Sequence, residues 1–265
     1  WDVIRTLSSN LTGWLIPLLL GWDQDRVVKT LRGPAGSSVT IWVRREKVDR
    51  LLKFDLKREN IELKTVKLEK FDKGIAYVRL SFFNEKTAEE MRKALTQAKA
   101  LKAKGIVLDL RNNPGGLLNA ATEIVDMFVD DGIIVGMKGR FDRANEVIYA
   151  TRGTQTRLPM VVLVNEGSAS ASEIVSGALK DLKRARIVGK KTFGKGSVQT
   201  LFHLSDGSAI FITIARYYTP SGLVIDHVGL KPDLVVEGEP NKDHKKDIQL
   251  QKAIQELKKS MGQQG

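Results

Sequence analysis

The sequence contains no cysteine. A disulfide framework and a cysteine nucleophile are both excluded, while the compartment stays open. Histidine is scarce, with only His203, His227 and His244. No acidic orienter or motif accompanies any of them, which argues against a serine–histidine mechanism. No two lie at metal-ligand spacing. Long apolar runs are also missing. The longest, Leu15-Ile-Pro-Leu-Leu-Leu20, contains proline and is too short to span a bilayer. No leader peptide is visible, and a start at Trp1 reads as a mature or truncated chain. A nucleotide-binding P-loop is missing as well, because Lys195 is followed by Gly196 rather than Ser or Thr. No RNP, zinc-finger or arginine-rich segment supports nucleic-acid binding.

What is present fits one large domain, or one domain with a small module, over 265 residues. Apolar residues make up 42%, enough for a sizeable core. Lysine and arginine outnumber acids 43 to 31, a net charge of +12. The basic residues are spread out, with a denser patch from Lys180 to Lys195. A solvated basic surface is the plain reading. The charge also suits an anionic membrane surface or an anionic carboxy-terminus.

Along the chain, Asp23 to Leu31 has helical spacing at Val27, Val28 and Leu31, and Val39 to Val43 alternates as a strand. Repeated β-then-α units follow. Strands are predicted over Lys73–Leu80, Gly105–Leu110, Met160–Val164 and Ala185–Gly189, with helices over Thr87–Ala103, Leu117–Val129 and Ser170–Lys180. This pattern favours an α/β core. Ala209 to Ile214 is a strand in a β-rich tail. Lys245 to Met261 reads as a terminal amphipathic helix.

Three segments carry candidate chemistry. The first is Leu108-Asp-Leu-Arg-Asn-Asn-Pro-Gly-Gly-Leu117, where adjacent glycines let backbone N–H groups approach a ligand. The second is Asn165-Glu-Gly-Ser-Ala-Ser-Ala-Ser-Glu173, a serine cluster leaving a buried strand for a helix start. Free N–H groups and the helix dipole favour negative charge there. The third is Gly189-Lys-Lys-Thr-Phe-Gly-Lys-Gly-Ser-Val-Gln199, an amine followed four residues later by an amide. Each alone has a plainer reading, respectively a βα turn, an N-cap among small residues, and a basic glycine-rich loop or phosphate cradle. A serine with a lysine base is an alternative to Ser-His-Asp.

Together and in this order, the three segments resemble the signature blocks of the carboxy-terminal processing proteases, the tail-specific serine protease family. Tyr217-Tyr-Thr-Pro-Ser-Gly222 and Gly229-Leu-Lys-Pro-Asp233 add to the likeness, which covers residues 23–45 and 60–236. The resemblance implies Ser170 as nucleophile, Lys195 as general base and Gln199 as the residue orienting the lysine. It implies backbone N–H groups of Gly116 and Ala171 as the oxyanion hole, with Ser168 and Ser172 in support. A lysine acting as base must be neutral near pH 7. From a free pKa of about 10.4, that costs about 4 kcal/mol and demands a water-poor pocket. Phe193 and Val198 are the expected drying neighbours.

The implied fold is an α/β, crotonase-like protease core with β-rich additions, plus a partial PDZ-like module. The expected divisions are 1–22 unassigned, 23–50 PDZ-like, 51–240 catalytic core and 241–265 terminal helix. Residues 23–45 look like the rear half of a PDZ domain. The Trp14–Trp22 run matches no strand of such a module. Residues 1–24 are therefore expected to join separated pieces of a longer chain, with junctions near Asn10 and between Leu20 and Asp23.

The implied activity is cleavage of protein substrates near an accessible carboxy-terminal tail, without cofactor, metal or nucleic acid. The implied location is extracytoplasmic: bacterial periplasm or cell surface, or thylakoid lumen. The rival readings are a non-catalytic tail-binding adaptor on the same scaffold and a crotonase-like acyl-thioester enzyme.

Overall fold

A computed structural model describes residues 23–43, 45, 48–60, 63–71 and 74–262. Segment 1–22 and the junction expected near Asn10 lie outside them. The chain divides into two compact units, Trp1–Leu63 and Lys64–Gly265.

In the first unit, helix α1 (Gln24–Leu31) is capped by the Asp23 carboxylate, which accepts the Arg26 N–H at 2.7 Å. Strands β1 (Ser38–Val43) and β2 (Leu52–Lys57) pair antiparallel, Ser38 opposite Lys57 and Val43 opposite Leu52. Arg58 ties these pieces together. Its Nε donates to the last helical carbonyl, Leu31 O, at 2.8 Å, and its Nη1 to Ser38 O at 2.9 Å. Among the described residues β2 pairs with β1 in a two-stranded sheet, and both strands belong to the first unit.

The second unit is built on a six-stranded sheet. Its strands are β3 (Val66–Phe71), β4 (Ile75–Leu80), β5 (Gly105–Asp109), β8 (Met160–Val164), β9 (Arg186–Gly189) and β12 (Leu234–Val235). The spatial order is β12-β9-β8-β5-β4-β3, parallel throughout except for β3. β5 and β8 are buried at every position, the signature of a parallel sheet covered on both faces. The pleat sorts their side chains. Val78, Ile106, Leu108 and Val162 face one core with helices α2 (Thr87–Ala100), α3 (Leu118–Asp126) and α4 (Ala171–Asp181). Tyr77, Val107, Val161 and Leu163 face the other, closed by Leu250, Ala253, Ile254 and Leu257 of the terminal helix α5 (Ile248–Gly262). Met91, Leu95 and Ala98 of α2 are buried, as their spacing requires.

A second, antiparallel sheet has the order β10-β11-β6-β7. It contains β6 (Ile133–Gly139), β7 (Glu146–Tyr149), β10 (Ser197–His203) and β11 (Ala209–Tyr218).

α2 and α4 end alike. After each comes a leucine, then a lysine in left-handed conformation, Lys102 (φ 55°) and Lys183 (φ 54°). The N–H of Ala103 then reaches back to Ala98 O, and that of Arg184 to Leu179 O, closing Schellman caps. Glycine usually holds this position, and a side chain there costs roughly 1–2 kcal/mol.

Candidate active site

The site lies past the carboxyl ends of β5 and β8, where open parallel sheets leave room between their loops. Two loops meet there and share hydrogen bonds. Asn165 Oδ1 accepts the N–H of Asn112 at 2.8 Å, and Asn165 Nδ2 donates to Asn112 Oδ1 at 2.8 Å. Ser168 Oγ donates to Leu110 O at 2.8 Å and Ser172 Oγ to Asn113 O at 2.9 Å. Both hydroxyls are fully buried and engaged in structure. Two of the three serines thus serve as loop fasteners, and Ser170 is the half-buried one between them.

Ser170 sits on the sharp turn from β8 into α4 with φ 52° and ψ −115°. A left-handed φ at a non-glycine residue is costly and persists only where the surroundings enforce it. Here the following helix and both loops enforce it. A strand–turn–helix elbow of this kind lifts a serine hydroxyl to the top of a sheet.

The Asn-Pro-Gly-Gly loop presses against this elbow. A β-carbon on Gly115 (φ 99°) would lie 2.8 Å from Ser170 Cβ and 2.9 Å from Ala171 N. One on Gly116 (φ 141°) would lie 2.0 Å from Phe83 O. Only glycine fits at either position. Asn113 shapes the turn, its Oδ1 accepting Gly115 N–H at 2.9 Å and its Nδ2 reaching Leu80 O at 2.9 Å. The N–H groups of Gly116 and Ala171 donate to no protein acceptor among the described residues. Two unspent donors beside Ser170 are what an oxyanion hole requires.

The third segment is fastened by a residue that motif reading left without a role. Glu173 is fully buried at the first turn of α4. Its Oε2 accepts Ser170 N–H at 2.9 Å and Lys195 N–H at 2.9 Å. Its Oε1 accepts Gly194 N–H at 2.7 Å and the Thr192 hydroxyl. One carboxylate therefore holds the elbow and the Gly-Lys-Gly loop together. An ionised carboxylate is acceptor-only and can take all four donors. The available signal was Ser-x-x-Glu at a helix start, the capping-box pattern.

Lys195 leads into β10, and a bulge between Val198 and Gln199 interrupts the pairing of β10 with β11. Bulges re-aim side chains. The Lys195 and Gln199 side chains are exposed, and the Lys195 amine makes no hydrogen bond or ion pair among the described residues. Val198 packs against the core. Phe193, expected to dry the amine, is itself 68% exposed. Its N–H donates to Ser168 O.

A buried ionic network underlies the Asn-Pro-Gly-Gly loop. Arg111, the residue before Asn112, is 1% exposed. Its guanidinium bonds Asp109 at 2.6 Å, Asp247 at 2.8 Å and Gln249 at 3.1 Å. Tyr77 completes the set by donating to Asp109 at 2.7 Å. Burial and the neighbouring Asp109 carboxylate push the Tyr77 phenol well above its usual range. Burial would raise the Asp247 carboxyl, but hydrogen bonds from Arg111 and the Leu250 N–H outweigh it and hold Asp247 below the usual carboxylate range. Asp247 caps α5, so the terminal helix and the glycine loop share one ionic anchor.

A profile of peptidase family S41 matches residues 74–236, spanning all three segments. Among curated proteins, a carboxy-terminal-processing protease of Bartonella bacilliformis is 44% identical over 82% of this chain and 51% of its own length. A carboxyl-terminal-processing protease of Synechocystis sp. is 41% identical over 80% of this chain and 51% of its own. The chain spans about half the length of these relatives. Among solved structures, a photosystem II D1 C-terminal processing protease is 34% identical. It superposes with a TM-score of 0.61, covering 82% of this chain and 60% of that one.

Proposed function

The chain belongs to peptidase family S41, and from that premise we propose that it is the catalytic part of a serine endopeptidase working near the carboxy-termini of proteins. The observation that carries the proposal is the junction of three loops on Ser170: a strained elbow, a glycine loop packed on it, and a lysine loop tied to it through Glu173.

In this reading Ser170 Oγ attacks the scissile carbonyl and Lys195 takes its proton. The N–H groups of Gly116 and Ala171 receive the oxyanion, each worth about 3 kcal/mol by analogy with other acyl-transfer sites. The lysine then protonates the leaving amine, and water releases the acyl group. Gln199 orients the amine without adding a charge that would hold its proton. The exposed Lys195 corresponds to a resting site, completed when a substrate tail covers it and excludes water.

The finer assignments follow the same premise. The core is crotonase-like, with the oxyanion donors after parallel strands. α1, the Gly-Pro-Ala-Gly turn and β1 are the rear of a PDZ-like module, which would take up an extended tail by strand addition. Substrates are proteins with accessible tails, met outside the cytoplasm in a periplasm, at a cell surface or in a thylakoid lumen. No helix among the described residues is long and apolar enough to cross a membrane.

The exposed, unpartnered Lys195 also favours a second reading, a tail-binding adaptor that never cuts. One experiment separates the two. The protein is incubated with a folded substrate bearing an unstructured apolar tail, and intact masses are followed. Loss of a carboxy-terminal fragment with wild type but not with Ser170→Ala supports the protease. Tail binding without any cleavage supports the adaptor.

A further inference from the structure

The end of the catalytic unit opposite Ser170 gathers positive charge. The parallel strands begin there and the helices end there. The chain leaves α2 through Lys99, Lys102 and Lys104 into β5. It leaves α4 through Lys183 and Arg184 into β9. α5 ends beside them, since a β-carbon on Gly105 would lie 3.0 Å from Met261 Sδ. Two adjoining clefts of about 860 and 950 Å³ share Arg157 and Pro159. One is lined by Lys99 and Lys104, the other by Lys180, Lys183, Arg184 and Arg186 against Asp130, Asp131 and Asp233. Lys180 pairs with Asp233, and the Arg184 guanidinium donates to backbone carbonyls of Phe128, Thr156 and Leu158.

Much of this charge has no internal use. Arg157 pairs with Asp130, and Arg186 with Glu256. Lys99, Lys102, Lys104 and Lys183 make no ion pair among the described residues. Cations near helix C-termini do complement the dipole. That explains Lys99 and Lys180, which lie in the last turns of α2 and α4. The same dipole acts on Lys102 and Lys183, one residue past the caps, but it does not account for a side chain where glycine is unstrained. Both hold left-handed positions where glycine closes the same cap without strain. At both helix ends the chain keeps a strained lysine projecting from the same end of the unit.

We infer that this basic end is a docking surface for an anionic lipid bilayer. The charges are chiefly lysines on separate turns, compact point charges spread over a broad end. That arrangement suits a diffuse negative surface better than a single bidentate ligand. Phe128, the aromatic residue among those lining the two clefts, is buried, so the clefts offer no aromatic platform of the kind that holds single-stranded nucleic acid. Bound this way, the catalytic unit turns the Ser170 end away from the bilayer. The inference does not depend on the catalytic reading, because docking is measured without any substrate.

The test is sedimentation of the full chain with vesicles of phosphatidylcholine alone or with 30% phosphatidylserine. Binding is expected only to the anionic vesicles, with loss at high salt. Lys102→Glu/Lys104→Glu/Lys183→Glu should weaken it by more than about a hundredfold, each lysine lost near an anionic surface being worth roughly fivefold and each added carboxylate being repelled as well. Lys242→Glu/Lys245→Glu/Lys246→Glu, the same charge change elsewhere, should weaken it far less. Lys102→Gly/Lys183→Gly should weaken binding about twenty-fivefold while raising the melting temperature, which separates docking from misfolding. Equal losses in both glutamate triples would overturn the proposal. So would undiminished binding by the first triple. Competition by millimolar inorganic phosphate would assign the site to a free anion instead, and tighter binding to single-stranded DNA than to vesicles would assign it to nucleic acid.

Discussion

Gly115 lies so close to Ser170 that a β-carbon on the glycine would sit 2.8 Å from Ser170 Cβ. The same added atom would crowd Ala171 N, and the glycine's φ of 99° disfavours any side chain. Gly115→Ala should therefore push the glycine loop off the elbow and displace the Gly116 donor. Loss of one oxyanion donor costs about 10²–10³ in rate. We expect kcat for a tailed substrate to fall by at least that much, with KM little changed. A KM effect with unchanged kcat would place the loop outside the oxyanion site.

Glu173→Gln tests the carboxylate that joins Ser170 and Lys195. An amide has one acceptor oxygen and brings two donors of its own, so it cannot satisfy the four donors met here. Each unsatisfied buried group costs about 1–3 kcal/mol. The variant should melt several degrees lower and react more slowly with an active-site serine probe. Wild-type melting and labelling would show that Glu173 holds neither loop.

Ser168→Ala and Ser172→Ala should behave differently from Ser170→Ala. Both hydroxyls are buried and donate to backbone carbonyls, Leu110 O and Asn113 O. Their loss should lower stability by about 1–3 kcal/mol, measured by urea unfolding. Activity per folded molecule should survive. Its loss with unchanged stability would make one of them a reactant.

The Asp247–Arg111 anchor predicts a pH signature. The folded-state pKa of Asp247 is depressed, so its contribution is present above the unfolded value and lost as pH falls through the folded one. Wild type should lose that stability below about pH 4, the unfolded carboxylate value. Asp247→Asn should be less stable at pH 7 by about 3 kcal/mol, because it uncovers part of a buried guanidinium charge. Its melting temperature should also fall less between pH 5 and pH 2. Parallel wild-type and variant profiles would remove Asp247 from the acid transition.

Much of this was legible in the sequence. β5 and β8 were readable because burial on both faces leaves unbroken apolar runs, and α2 because Met91, Leu95 and Ala98 share one face. β2 was not, because Lys53, Asp55 and Lys57 interrupt it and most of its positions are exposed. β12 has two residues and no pattern to read. The glycine and serine segments announced themselves through residue types that few backbones need. Glu173 announced only a capping box; its hold on the lysine loop stayed hidden, because its partners there, the Thr192 hydroxyl and the Gly194 N–H, lie about twenty positions away. The bond from Arg111 to Asp247 spans 136 positions and leaves no local trace. Phe193 is an apolar residue left 68% exposed, and residue type alone does not foretell that.

The central claim is that Ser170 is the nucleophile and Lys195 its base. Labelling with a fluorophosphonate, followed by peptide mapping, tests it most directly. The account predicts one adduct, on Ser170, absent in Ser170→Ala. It predicts labelling slowed about 10²–10⁴-fold in Lys195→Ala, the usual worth of a general base. An adduct on Ser168 or Ser172, or labelling of Lys195→Ala at the wild-type rate, would contradict it.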